Sequence, residues 1–76
     1  MGPPADRPWD RRIQTAQAAI QQLGYDPGPL DGILGPRTRN AILRFQRAQH
    51  LRLTGVVDPA TWSAIAAQLM ARRSKP

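Results

Sequence analysis

The chain has 76 residues, no cysteine and a formal net charge of +6. It is one small domain with no disulfide or thiolate metal site to support it, so it depends on tight packing around a few large apolar side chains. Ten of its eleven basic residues are arginine and all five acids are aspartate, a balance that favours acidic partners such as nucleic acid, anionic lipid or an acidic polymer.

Residues 1–8 hold three prolines and two opposite charges and read as a flexible leader. They lack the apolar core of a signal peptide. No stretch of the chain is long and apolar enough to span a bilayer. A first helix is expected from Trp9 or Asp10 to Leu23, with Asp10 as N-cap and Gly24 as the left-handed stop. Ile13, Ala16, Ile20 and Leu23 share one face, and Gln17 falls inside that apolar arc. Two prolines, two glycines and two aspartates in residues 25–32 then predict an ordered, turn-rich loop.

The second helix starts at Pro36, with Gly35 as cap, and runs to about Gln49. Thr38, Ala41, Ile42, Phe45 and Gln49 are its expected inner face. Arg37, Asn40, Arg44 and Arg47 form the outer one, and Leu43 is an exposed apolar outlier. After a second glycine turn at Gly55, Asp58 caps a third helix and Pro59 opens it. Trp62, Ile65, Ala66 and Leu69 are assigned to its core stripe. Residues 72–76 read as a basic tail, so the folded part is 9–71.

One phrase occurs twice. Asp31-Gly32-Ile33-Leu34-Gly35-Pro36-Arg37-Thr38 returns as Thr54-Gly55-Val56-Val57-Asp58-Pro59-Ala60-Thr61, a constant 23 residues on. Each copy is a glycine turn, two aliphatic residues, a cap and a helix opened by proline. The expected fold is therefore all-α, a compact three-helix bundle with two similar structured loops. At most a tiny extended pairing joins 33–34 to 56–57.

Residues 13–25 (Ile13, Ala16, Gln17, Ile20, Leu23, Gly24, Tyr25), 27–38, Ala41-Ile42 with Phe45-Gln46, and 54–62 together resemble the type 1 peptidoglycan-binding domain, a small helical module attached to cell-wall hydrolases and phage endolysins. The likeness covers about residues 10–69. Two positions depart from the family pattern: Ala16 where it has leucine, and His50 where it has glycine. What the resemblance implies is a non-catalytic, monomeric module that holds a covalently linked enzyme against murein outside the cytoplasm. A chain with no signal peptide is then expected to be a fragment or to be delivered by another route.

The expected contact groove lies between the Tyr25–Arg37 loop, the start of the second helix and the Leu53–Thr54 loop. Its candidate ligand-binding residues are Tyr25, Asp31, Gly32, Gly35, Arg37, Gln46, Leu53 and Thr54. Each has a structural reading beside the functional one. Gly32 and Gly55 supply unusual backbone angles or a close approach for ligand. Asp31 stiffens its loop or accepts from ligand amides. Gln17 and Gln46 tie loop backbone to helix, or Gln46 lines the groove. Tyr25 is a lid on the core or an aromatic platform. Arg37, Arg44 and Arg47 are a solvated stripe or an anion-attracting one, with Arg37 at a helix start beside the Asp31 loop.

Catalytic residues, metal ligands and cofactors are not expected. No second carboxylate stands near Asp31 in sequence for acid–base work, and His50 has no Cys, Glu or second His to join it. A protein-interaction or regulatory module beside a catalytic domain is the competing reading, with Leu43 in its favour. Nucleic-acid binding fits less well, because the segment between the second and third helices is too long for a helix-turn-helix.

Overall fold

Asp10 fixes where the first helix begins. The computed structural model describes residues 10–73. The leader, Trp9 and residues 74–76 lie outside the described residues. Asp10 is extended, and its carboxylate accepts the Arg12 N–H at 2.8 Å. Helix α1 then runs Arg11–Gln22. Its last turn closes when the Gly24 N–H donates to the Gln21 carbonyl at 3.0 Å and the Tyr25 N–H to that of Ile20 at 3.1 Å. This pair of bonds is the Schellman arrangement, and it needs a left-handed residue at Gly24, where φ is +95°.

Helix α2, Pro36–Ala48, has no side-chain cap; Gly35 is extended and Pro36 sits at the first position. It ends as α1 does. The His50 N–H donates to the Arg47 carbonyl at 3.1 Å and the Leu51 N–H to that of Gln46 at 2.8 Å. The left-handed position is here held by His50, at φ 59°. Helix α3, Pro59–Arg73, is capped by Asp58, which accepts the Thr61 N–H at 2.9 Å.

Ala19, Ile20, Ala41, Ile42, Phe45 and Ile65 form the buried core, with Leu23, Tyr25, Leu34, Leu51, Val57, Ala64 and Leu69 packed around it. Helix α1 packs against both α2 and α3. The Tyr25 ring stands edge-on to Phe45, centroids 5.7 Å apart.

The described residues are all-helical, as expected, and no strand or bridge joins 33–34 to 56–57 among them, which agrees with the expectation of at most a tiny pairing there; three details differ. The α3 stripe is rotated: Thr61 and Ile65 face inward, while Ala66 is exposed and Trp62, expected in the core, is 42% exposed. Leu43 is half-buried rather than exposed. The stretch read as a tail begins inside α3, and the Arg72 guanidinium donates to the Gln22 carbonyl at the end of α1.

Gly24 and His50 occupy equivalent positions with opposite local cost, because a Cβ in the left-handed region is strained. His50→Gly is expected to raise stability by about 1 kcal/mol, and Gly24→Ala to lower it by about as much, since nothing lies within 4 Å of the added Cβ and only the backbone resists. Thermal unfolding of the two variants checks this; midpoints moving the same way would contradict it.

Candidate functional site

Two glutamine side chains hold the loops that flank α2. Gln17, on α1, is 1% exposed. Its Oε1 accepts the Gly32 N–H at 2.9 Å, and its Nε2 reaches Thr38 Oγ1 at 2.9 Å, the Ile33 carbonyl at 3.1 Å and Asp31 Oδ1 at 3.3 Å. The Thr38 hydroxyl in turn donates to the Pro27 carbonyl at 2.8 Å. One amide therefore joins α1, the loop 24–35 and the first turn of α2.

Gln46, on α2, is fully buried and makes the corresponding bonds to the second loop. Its Oε1 accepts from the Thr54 and Gly55 N–H groups at 3.0 and 3.1 Å. Its Nε2 reaches Thr54 Oγ1, the Val56 carbonyl and Thr61 Oγ1 at 2.8, 3.0 and 2.9 Å. The Thr61 hydroxyl donates to Asp58 Oδ1 at 2.6 Å. Gly32 and Gly55 both have φ +75°. At Gly55 a Cβ would also stand 3.1 Å from Arg39 Cγ, so both strain and space argue for glycine there. Among the described residues no buried side-chain polar atom lacks a partner.

The expected ligand contacts fall into three groups by exposure. Gln46 and Gly32 face inward and are committed to the locks. Tyr25 is half-buried as a lid on Phe45, and Gly35 is half-buried at the α2 cap. Asp31, Arg37, Leu53 and Thr54 are exposed. The Asp31 carboxylate accepts the Ile33 N–H at 3.0 Å, which stiffens its own loop. Arg37 pairs with Asp26 at 2.7 Å, both side chains being well exposed.

Beside this surface α2 carries a depression of about 340 Å³ lined by Asn40, Leu43, Arg44, Arg47 and Leu53. Of the expected contacts only Leu53 lines it. The loop 24–35 does not. The signal for the rest was the spacing of 40, 43, 44 and 47 on one helix face, with Leu43 as the apolar residue that did not fit a solvated stripe.

Three aspartates are held below the ordinary carboxylate value of 3.8. For Asp26 the main cause is the Arg37 hydrogen bond, for Asp31 the Ile33 N–H, and for Asp58 the Thr61 hydroxyl followed by the Thr61 N–H. Each carboxylate is ionised and used by the fold.

The family described as "Putative peptidoglycan binding domain" matches residues 10–65, which take in both glutamine locks and the whole of α2. The chain belongs to this family. Curated relatives of this peptidoglycan-binding domain include the localization factor PodJL of Caulobacter vibrioides, 47% identical over 64% of the chain and 5% of the relative. The N-acetylmuramoyl-L-alanine amidase CwlM of Mycobacterium tuberculosis is 39% identical over 64% of the chain and 12% of its own length. The carboxy-terminal processing protease CtpB of Bacillus subtilis is 31% identical over 82% of the chain and 13% of its own. The domain thus spans a small fraction of each of these proteins.

Gln46→Ala would leave the Thr54 and Gly55 N–H groups without their acceptor and should cost about 2–4 kcal/mol in urea unfolding; a loss under about 0.5 kcal/mol would contradict the lock. The aspartates predict an acid limit. Their folded pKa values are lowered, so below 3.8 the unfolded chain binds more protons and stability falls with pH. The thermal midpoint should hold above that pH and drop below it, and Asp58→Asn should shrink the drop. An Asp58→Asn profile parallel to the parent's would refute the assignment.

Proposed function

We propose that this domain is a non-catalytic module that binds peptidoglycan outside the cytoplasm and, as a monomer, holds a covalently linked domain of its parent protein against the cell wall. The observation that carries the reading is the family match over 10–65, which takes in α1, α2, both connecting loops and the start of α3. The composition of the surface supports it. Asp31, Arg37, Leu53 and Thr54 stand exposed on loops fixed from beneath, with Gly35 and Tyr25 at their edge. Exposed polar donors, acceptors and apolar side chains suit a polymer of sugar and peptide. Gly32 and Gln46 act on that contact by shaping it, since both are buried.

The linked domain differs between relatives on this reading. CwlM is named as an amidase, CtpB as a protease and PodJL as a localization factor, and in each the matching region is a small part of the whole. Attachment, rather than any one reaction, is what such varied proteins would share. A weak contact suffices, because tethering raises the local concentration of the linked domain at the polymer.

Nucleic-acid binding is disfavoured by the segment 49–58 between α2 and α3, too long for a helix-turn-helix. The α3 surface that would read bases carries Ala60, Ser63 and Ala67, with no charged residue between Asp58 and Arg72.

Co-sedimentation of the 76-residue chain with purified insoluble murein tests the proposal. Retention in the pellet at low and moderate salt is expected, with a folded, unrelated basic domain staying in the supernatant. A chain that stays in solution, or one retained no better than that control, would end the reading.

A further inference from the structure

The depression on α2 sets two cationic side chains beside apolar wall. Arg44 and Arg47 are three residues apart on one helix face and both are exposed. Among the described residues the ion pair is Arg37 with Asp26, and neither Arg44 nor Arg47 has an acidic partner. The lining holds no acidic residue at all. Asn40 adds an amide, while Leu43 and Leu53 supply apolar wall from the helix and from the second loop. The volume, about 340 Å³, is that of a small-ligand site.

Arg37 is the less suitable anion site. Its guanidinium already donates to Asp26 at 2.7 Å, so an incoming carboxylate would have to displace a carboxylate. Among the described residues Arg44 and Arg47 have no such competitor. Guanidinium groups accept carboxylate and phosphate alike, often through two parallel hydrogen bonds. The leucines decide between the two. A phosphate polymer would leave them facing water, whereas a peptide end places an alkyl side chain within a few bonds of its carboxylate.

We propose that the Asn40–Leu43–Arg44–Arg47–Leu53 depression is the subsite for the free C-terminal carboxylate of a short peptide whose last residue bears a small alkyl group, held as the peptide portion of peptidoglycan. This rests on the peptidoglycan reading and deepens it. The Arg44 and Arg47 guanidinium groups take the carboxylate oxygens, the Asn40 amide donates to the adjoining peptide group, and Leu43 and Leu53 cover the alkyl group. The loops 24–35 and 51–58 then contact the more remote parts of the same fragment.

The test uses the whole 76-residue chain, labelled for amide spectra and titrated with soluble disaccharide-peptide fragments. The expected shifts cluster at Asn40–Arg47 and Leu53. The same fragment with its peptide terminus amidated, and glycan stripped of peptide, should bind at least about ten-fold more weakly. Inorganic phosphate and a phosphate-bearing wall polymer should bind no better than the amidated fragment. Arg44→Gln with Arg47→Gln should lose about ten-fold in affinity or more, and Leu53→Ser several-fold. Arg11→Gln with Arg12→Gln removes the same charge from exposed α1 positions outside the depression and should lose less than about two-fold.

Equal losses in the two double variants, equal binding of the amidated fragment, preference for the phosphate polymer, or shifts confined to 24–35 would each overturn the subsite. Murein sedimentation separates the two levels. Parent chain and Arg44/Arg47 variant retained alike leaves the module reading standing and removes the subsite. A parent chain that is not retained removes both.

Discussion

The fold turns on two buried carboxamides. A chain this short has three helices of 12, 13 and 15 residues and long connections that form no ladder among the described residues. Backbone N–H and C=O groups in such connections still need partners wherever they are buried. A glutamine side chain supplies an acceptor and two donors at the end of a reach long enough to cross from helix to loop. Gln17 does this for the Gly32 and Ile33 backbone, and Gln46 for Gly55 and Val56. Without them each loop would have to solvate itself, and the bundle would lose the segments that set the start of α2 and α3.

Each amide also reaches a threonine in the first turn of the helix that its loop leads into. Gln17 bonds Thr38 and Gln46 bonds Thr61. In the second case the chain of bonds continues to Asp58, the cap of α3, whose negative charge suits the N-terminal end of a helix. Loop shape and helix initiation are thus one network, and bonds linked in this way strengthen one another in a low-dielectric interior. A helix start is costly to nucleate alone. Fixing the cap through a residue already anchored in another helix offsets part of that cost.

Much of this was legible in the sequence. Glycine, two aliphatics, a cap, proline and threonine in fixed order gave both loops and both helix starts, and Asp10, Gly24 and Asp58 took their expected places. A glutamine inside an apolar arc announced a buried amide. What the pattern could not give was the direction of its partners: a polar residue among apolar ones meets either a loop or a ligand, and Gln46 meets the loop. The α3 register failed for a related reason. Between Asp58 and Arg72 no charge marks an outer face, and alanines fit on either side. The inner face was decided by Thr61, a polar residue drawn inward by Gln46, which turned Trp62 towards solvent.

The same network explains why a binding surface can lie outside the core without weakening it. Every buried side-chain polar group among the described residues already has its partner within the chain. Solvent-facing side chains outside this network, such as Arg44, Arg47 and Leu53, therefore carry little of the folding energy, and surface changes of this kind usually move stability by less than about 0.5 kcal/mol. Yet their positions are fixed, because the loops that hold Asp31, Leu53 and Thr54 are tied at several atoms and α2 is tied at both ends. A weak ligand gains most from such a surface, since little ordering remains to oppose binding. The inward-facing Gln46 amide and the exposed Arg44 and Arg47, which have no acidic partner among the described residues, thus lie on two sides of one helix, so the face of α2 that stabilises the domain is separate from the face it offers to solvent.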